Sequence, residues 1–286
     1  VFTGLCALAQ GYADLLLYRT IAGLGWQLGV LAAALLTPLL LPIIGWRGMF
    51  ALGLLPALVS FVVRRRVEEP ALFNERVARP APGRSRRLPL KLLVADARTM
   101  RASLGVAILC SVQNFGYYGL MIWLPSYLSK TFGYSLTKSG LWTATTVVGM
   151  GLGIWLFGVA ADRFGRKPTF LFYQAGAVVM VFVYAHLAAP SALLIGGAVM
   201  GVFVNGMIGG YGALISELYP TEARATAQNV LFNIGRAVGG FGPVAVGALA
   251  TRFSFGTALA ALASIYVLDI LATIFLIPER RGAALD

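Results

Sequence analysis

Charged side chains are scarce in this sequence. They make up 12% of its 286 residues, whereas hydrophobic residues make up 58%. A soluble domain of this length needs a polar surface that such a composition does not supply. Several mostly apolar stretches, for example 139–161 and 169–187, reach the length of about 20 residues that one helical membrane span requires. Because these stretches do not alternate in polarity, an outer-membrane β-barrel is excluded, and the sequence predicts an all-α, polytopic membrane protein.

Cysteine and histidine are nearly absent, with two residues of the first and one of the second. Cys6 and Cys110 lie in apolar segments and indicate packing rather than a disulfide framework, and His186 ends a span near Pro190. The chain therefore offers no ligand set for zinc or haem, and no clustered nucleophile or acid pair for a membrane enzyme. We predict no metal site, no cofactor and no enzymatic activity.

Acidic residues are also few, with 11 against 23 basic residues and a formal net charge of +12. In a soluble protein this excess would suggest a nucleic-acid partner. Here the basic residues lie between the apolar stretches, where the positive-inside rule accounts for them. Most fall on one side if the spans alternate, and the few on the other side are Arg47, Lys130, Lys138 and Arg252. We therefore predict no nucleic-acid partner, a multi-pass protein of the cell (inner) membrane, and a cytoplasmic linker and C-terminus.

The apolar stretches divide the chain into three parts. We predict a partial N-terminal transmembrane bundle at 1–64, a cytoplasmic linker with an amphipathic segment at 65–101, and a six-helix C-terminal bundle with a short tail at 102–286. The turns between its spans carry Gly, Pro or charge, as turns do. The six spans are expected near residues 102–128, 139–161, 169–187, 192–215, 226–250 and 256–277.

The linker and the N-terminal part are less regular. The segment "LPLKLLVADARTMRAS" (88–103) predicts a short amphipathic helix on the membrane surface, with a plain solvated linker as the alternative. Gly48–Val63 is predicted to form one span. Asp14–Gly45 is too long for one ordinary span and too short for two with a loop, so an irregular structure is expected there.

A cluster of charge interrupts the apolar pattern in "GVAADRFGRKPTF" (158–170). Glycines followed by Arg and Lys could cradle a phosphate, but the segment follows a membrane-length span and does not match a P-loop. Positive-inside anchoring would explain Arg166 and Lys167, but not Asp162 or the glycine spacing. The segment fits the pattern G-x-x-x-D-R-x-G-R-[KR] at every position, through Gly158, Asp162, Arg163, Gly165, Arg166 and Lys167.

This pattern resembles the signature loop of the major facilitator superfamily, which joins the second and third helices of a six-helix half. A second segment, "SELYPTEARAT", is similar to the superfamily's E-x-x-P-x-x-x-R pattern through Glu217 and Arg224. The resemblance implies two six-helix halves built of inverted repeats, an Arg166–Glu217 pair, and Arg224 in the same network. Gly165 permits a tight turn, and Asp162 can face the positive end of a neighbouring helix. We expect the motif residues, with Glu217 and Arg224, to form a cytoplasmic gate.

The N-terminal part carries a similar resemblance. The segment "YRTIAGLG", with Arg19, resembles the fourth helix of the superfamily, and "GWRGMF" and "VRRRVEEP" resemble the end of its first half. This implies that Val1 begins within helix three, that helices one and two are absent, and that most of helix four and its loop is missing between Gly25 and Trp26. The predicted fold is thus a major facilitator-type helical bundle with a complete six-helix C-terminal half and a partial N-terminal half.

Two ionisable residues lie deep within predicted spans, where charge is costly and marks function by default. Arg236 lies about 15 Å and Asp269 about 12 Å from the same end of neighbouring spans at 1.5 Å per residue. Arg236 either pairs with Asp269 or offers its charge to an anionic substrate, and both readings stay open. The resemblance ties Arg19 to proton coupling. Polar residues that line a cavity or hold helices together are Gln113, Asn114, Asn205 and Asn233.

The segments "VEEPALF" and "SELYPTEARATAQNVLFNIGR" look like those of bacterial metabolite/proton symporters, and Val30 stands where drug antiporters of the superfamily carry proline. The resemblance implies a monomeric secondary transporter that takes up a small organic anion or sugar acid with a proton by alternating access. The small-molecule substrate, the proton and the lipid bilayer are its expected partners. An efflux or antiport carrier and a non-functional truncated remnant are the alternatives, and a channel or receptor is a third class.

Overall fold

The computed structural model describes residues 12–54, 61 and 90–278, and side chains from residue 29 onward except those of residues 136, 221 and 222. The chain divides into two compact units, residues 1–87 and 88–286, which are considered separately below. The described residues form helices and no strand. This confirms the predicted all-α class.

In the first unit, helix α1 runs from Tyr12 to Leu52 and is interrupted at Gly45. The backbone of Gly45 has φ 64° and ψ 177°, a conformation that glycine adopts without the steric penalty of a Cβ. Residues Gly29–Leu52 are long and apolar enough to cross a membrane. The restart after Gly45 coincides with the predicted start of a span at Gly48, whereas residues 55–60 and 62–89, which include the span's end and most of the linker, lie outside the described residues.

The second unit contains six helical segments that are long and apolar enough to cross a membrane. Three of these are single helices, and the other three are pairs of shorter helices separated by a break of one or two residues. Their ranges agree with the six predicted spans to within a few residues. The helices are α2 (Ala97–Phe132), α3 (Leu136–Phe164), α4 (Arg166–His186), α5 (Pro190–Gly206), α6 (Ile208–Leu218), α7 (Thr221–Gly239), α8 (Gly242–Arg252), α9 (Phe255–Ala263) and α10 (Ile265–Leu276).

The segment before α2 differs from the single surface helix expected there. It forms a short 3₁₀ helix, Leu90–Val94, and α2 then begins a few residues later. Asp96 causes this separation, because its carboxylate accepts hydrogen bonds from the backbone N–H groups of Arg98 at 2.8 Å and Thr99 at 2.9 Å and so caps α2. These bonds, that of Thr99 first, hold the pKa of Asp96 below its usual value. The end of the predicted amphipathic segment is therefore the first turn of a span.

Glycines bring α3 and α5 close together. A Cβ built on Gly149 would overlap the backbone of Ala198, and one on Gly153 would overlap the backbone of Val202. A Cβ on Gly151, between them, would meet no atom within 4 Å. Two of the three mid-span glycines are thus contact residues, as expected for small residues at helix interfaces in membranes.

We predict that Gly153→Ala lowers the stability of the protein and that Gly151→Ala does not. The added methyl group at residue 153 must push α5 away from α3, and such overpacking costs about 1–3 kcal/mol. Alanine is also the better helix former, so the change at residue 151 should be neutral or stabilising. The apparent melting temperature of the purified protein in detergent, followed by size-exclusion chromatography, measures both. Equal melting temperatures for the two variants would contradict the close contact.

Candidate functional site

The turn between α3 and α4 consists of one residue, Gly165, with φ 101° and ψ 161°. Its N–H donates to the carbonyl oxygen of Ala161 at 3.0 Å, and its own carbonyl accepts the hydroxyl of Thr169 at 2.8 Å. A residue with a side chain would be strained at this φ. Gly165 therefore makes the abrupt reversal possible, and it places the charged motif residues at one end of the bundle, called the charged end below.

Arg166 joins three helices at the charged end. Its Nη1 donates to Asp162 Oδ1 at 2.8 Å, and its Nε donates to Glu217 Oε1 at 3.0 Å. The Arg166–Glu217 pair that the resemblance implies is thus present, and it connects α4 to α6, while Asp162 belongs to α3. The side chains of Arg166 and Glu217 are 22% and 19% exposed, whereas that of Asp162 is 73% exposed. Water screens the bond to Asp162 more strongly, so the bond to Glu217 is the stronger constraint.

The other motif cations bind the backbone or an aromatic ring. Arg224 donates from Nε to the carbonyl oxygen of Tyr219 at 3.1 Å, next to the helix end that carries Glu217. The guanidinium carbon of Arg163 lies 5.5 Å from the ring centroid of Phe164. Gly158 has open space where a Cβ would stand, so its place in the pattern has no packing explanation within the described residues.

Lys167 makes a contact that the sequence analysis missed. Its Nζ donates to the carbonyl oxygens of Ile274 at 2.8 Å and Ile277 at 2.9 Å, and Arg101 donates from Nη2 to that of Phe275 at 3.1 Å. The last turn of α10 contains no basic residue of its own, so cations from α4 and α2 bind its unpaired carbonyls. The feature of the sequence that could have indicated this contact is the lack of a basic residue in the last turn of α10, which leaves its carbonyl oxygens to a cation from another helix.

The candidate residues within the spans divide into a buried and an exposed group. Gln113 donates from Nε2 to Asn205 Oδ1 at 3.0 Å, and Asn114 donates from Nδ2 to the carbonyl oxygen of Cys110 at 2.8 Å. Gln113, Asn114 and Asn205 are all buried. The Gln113–Asn205 bond joins α2 to α5, whereas the bond of Asn114 stays within α2. Asn233, by contrast, is exposed on α7 together with Arg236.

The structure does not bring Arg236 and Asp269 together. The Arg236 side chain is exposed on α7, whereas that of Asp269 on α10 is completely buried. Within the described residues neither takes part in an ion pair, and both carboxyl oxygens of Asp269 lack a hydrogen-bond partner. The interpretation in which Arg236 pairs with Asp269 is therefore wrong, because the first side chain lies on the exposed surface and the second in the packed interior. The side chain of Arg19 lies outside the described part of the chain.

The comparison with known proteins identifies this arrangement of spans and charged motif. A sequence model of the Major Facilitator Superfamily matches residues 16–153 and 127–285. The chain belongs to this superfamily, whose members are membrane transporters rather than enzymes. The fold is also similar to that of the crystal structure of a D-xylose-proton symporter, with a TM-score of 0.74 at 20% identity over 98% of this chain and 68% of the other.

Two relatives show how much of a full-length protein the chain covers. It is 57% identical over 320 residues to a protein of Haemophilus influenzae that is named for metabolite transport, covering 100% of this chain and 79% of the relative. It is 28% identical to the cis,cis-muconate transport protein of Acinetobacter baylyi, over 90% of this chain and 63% of that protein. The chain thus spans from about three fifths to about four fifths of these relatives, so the activity of the whole protein belongs to the proposals below.

A double-mutant cycle can compare the two bonds of Arg166. We expect a coupling free energy of about 1 kcal/mol between Arg166→Ala and Glu217→Ala, and a smaller coupling, below about 0.5 kcal/mol, between Arg166→Ala and Asp162→Ala. The reason is the greater exposure of Asp162. Stability in detergent at low and high salt measures both couplings, and the weaker one should vanish first as salt rises. A larger coupling to Asp162 than to Glu217 would contradict the geometry.

Proposed function

We propose that the protein is a secondary transporter that takes up a small organic anion together with a proton. The observation that carries this proposal is the position of Arg236. It lies about 20 Å along the span Ala223–Arg252 at 1.5 Å per residue, and its side chain is exposed there without an ion pair among the described residues. A cation at this depth requires an explanation.

A guanidinium at the centre of a span is costly in lipid, by about 2.5–3.5 kcal/mol on insertion scales. It is retained where it faces water or binds an anion, so the exposed face of α7 is better suited to a solvated path than to lipid. The planar guanidinium binds carboxylates through two parallel hydrogen bonds. A relative named for transport of cis,cis-muconate, a carboxylate, supports the same class of substrate.

The neighbours of Arg236 on α7 are polar as well. Asn229 and Asn233 are exposed and precede Arg236 by about two turns and one turn. Their side-chain N–H groups donate to the carbonyl oxygens of Ala225 at 2.9 Å and of Asn229 at 2.7 Å. The amide oxygens remain as acceptors for hydroxyl groups, so the stripe combines a cation with acceptors. This combination suits a hydroxylated acid, such as a sugar acid.

The charged end provides the proposed gate. Basic residues gather there, which supports the proposal that this end, the linker and the C-terminus lie on the cytoplasmic side of a cell (inner) membrane. The bonds of Arg166 to Asp162 and Glu217 hold the ends of α3, α4 and α6 in one arrangement. In alternating access this arrangement stabilises the closed cytoplasmic side, and Arg163, Lys167 and Arg224 contribute through their contacts at the same end. Proton coupling through Arg19 follows from the resemblance of its segment.

A remnant that transports nothing is the second candidate, and one observation favours it. The alignment with the Haemophilus influenzae relative covers 320 residues, which is 34 more than the 286 residues of this chain. The relative therefore has additional residues within the matched region, about the length of one span and its loop. Sequencing of the encoding DNA across the codons of Gly25 and Trp26 tests this directly. Codons for an intervening helix would exclude the remnant, and a direct junction would favour it.

We expect Arg236→Lys to weaken substrate uptake at low substrate concentration. Lysine keeps the charge but loses the paired hydrogen bonds, and a hydrogen bond to a charged group contributes about 1.5–3 kcal/mol. The apparent KM for a carboxylate substrate should therefore rise roughly 10- to 100-fold. Arg252→Lys is the matched control, because Arg252 is an exposed arginine at the end of α8. Equal KM values for the wild type and Arg236→Lys in proteoliposomes would exclude the proposed role.

We expect Asp162→Asn to impair transport more than substrate binding, because its carboxylate belongs to the gate and not to the proposed substrate path. The maximal uptake rate should fall at least several-fold, while the affinity measured by titration of the purified protein stays unchanged. Asp96→Asn is the control, since Asp96 is an exposed carboxylate near the same end and asparagine also caps helices well. An uptake rate for Asp162→Asn that equals that of the wild type would contradict the gate.

A further inference from the structure

Asp269 is the most unusual ionisable group of the second unit. It lies seven residues before the end of α10, about 10 Å from the charged end, and is 0% exposed. Neither Oδ1 nor Oδ2 has a hydrogen-bond partner. The loss of hydration would destabilise an isolated ionised carboxylate here by far more than the surrounding contacts could offset. A buried acid of this kind therefore binds a proton and becomes neutral.

The groups around Asp269 supply hydrogen-bonding atoms but no cation. Tyr266 and Thr273 lie on the same face of α10, one turn to either side. Gln174 of α4 lies beside the carboxyl group and donates from Nε2 to Thr273 Oγ1 at 2.7 Å. The hydroxyl of Tyr266 is buried against Gly116 of α2, where a Cβ would overlap it. All four side chains, including that of Asp269, are 0% exposed.

The titratable groups that face Asp269 come from three helices. Cys110 of α2, Tyr211 of α6 and Tyr266 of α10 are within electrostatic reach of its carboxyl group, and the side chain that α4 presents to it, Gln174, does not titrate. Among the described residues no Lys, Arg or His pairs with it. The carboxyl group is therefore surrounded by neutral groups. Because no described cation balances its negative charge, the group is neutral only when it binds a proton.

One proton also matches an unpaired acceptor atom of this cluster. Gln174 Oε1 is a buried acceptor without a donor, and the Tyr266 hydroxyl is a buried group without a partner. A neutral carboxylic acid has one O–H donor and one carbonyl acceptor. Its O–H can donate to Gln174 Oε1, whereas the ionised form can only accept. Protonation of Asp269 thus offers a donor to the buried oxygen of Gln174, which an ionised carboxylate could not supply.

We infer that Asp269, with Gln174, forms a proton-binding site inside the six-span bundle, between α10, α4 and α2. The packed arrangement holds the carboxyl group as a neutral acid, and the proton leaves when α4 and α10 separate enough to admit water. A metal cation is less suited to the site, since hard cations need several oxygen ligands around them and these atoms are closely packed. The use of this proton in transport rests on the proposed function, but the existence of the site does not.

Infrared spectroscopy of the full chain in lipid tests the site. With aspartate labelled by ¹³C at the side-chain carboxyl, the wild type should show the C=O stretch of a protonated carboxylic acid at neutral pH, shifted by the label and slow to exchange in D₂O. Asp269→Asn should remove this band. Asp162→Asn, which removes a carboxylate that is 73% exposed, should leave it in place. Asparagine is nearly the same size as aspartic acid, and the labelled wild type is informative even if the variant folds poorly.

Two results would overturn the inference. One is the absence of a protonated aspartate band in the wild type at neutral pH or its persistence in Asp269→Asn. The other is a higher melting temperature of the wild type, but not of Asp269→Asn, on addition of Na⁺ alone, which would make the cluster a cation site. Uptake driven by a pH gradient is measured separately. If the band is present but uptake is not driven by a pH gradient, the proton site stands and the proposed coupling is wrong. If such uptake is present without the band, the coupling stands and the proton site is wrong.

Discussion

The hydrocarbon core of a bilayer offers no water to hydrogen-bond polar groups, and the rest of this structure depends on that constraint. Each backbone N–H and C=O in a span must find its partner within the protein. This explains why the described spans are helical, and the ends of the helices are where backbone groups need other partners. Lys167 and Arg101 bind carbonyl oxygens that α10 cannot pair itself. Helix α10 is thus joined to α4 and α2 through its backbone.

The same environment decides how the helices associate. Lipid tails are as apolar as leucine side chains, so burial of apolar surface gives little reason for one helix to prefer another over lipid. Close backbone contact and hydrogen bonds between helices take that role. Gly153 brings α3 against α5, Gln113 binds Asn205 between α2 and α5, and Gln174 binds Thr273 between α4 and α10. The polar residues of the spans are therefore mostly structural, which makes the exposed Arg236 and the unpaired Asp269 exceptional.

The sequence predicts depth along a span better than direction around it. Span positions follow from apolar length, and the turn at Gly165 and the Arg166–Glu217 pair follow from a motif that resembles a known one. The direction in which Gln113, Arg236 and Asp269 point from their helices does not follow from the sequence. Spans are apolar both towards lipid and towards the protein interior, so they lack the polar face that orients a helix in a soluble protein. The sequence predicts similar depths for Asp269 and Arg236, whereas the structure buries the first and exposes the second.

The unequal exposure of the two carboxylates bonded to Arg166 bears on how the proposed gate would open. An exposed ion pair contributes little and is easily exchanged for water, whereas breaking a partly buried pair leaves its charges poorly solvated. We therefore expect the contact through Glu217 to persist while α4 and α6 move together, and the contact through Asp162 to be made and broken in each cycle. One arginine can in this way keep two helices joined and still release a third.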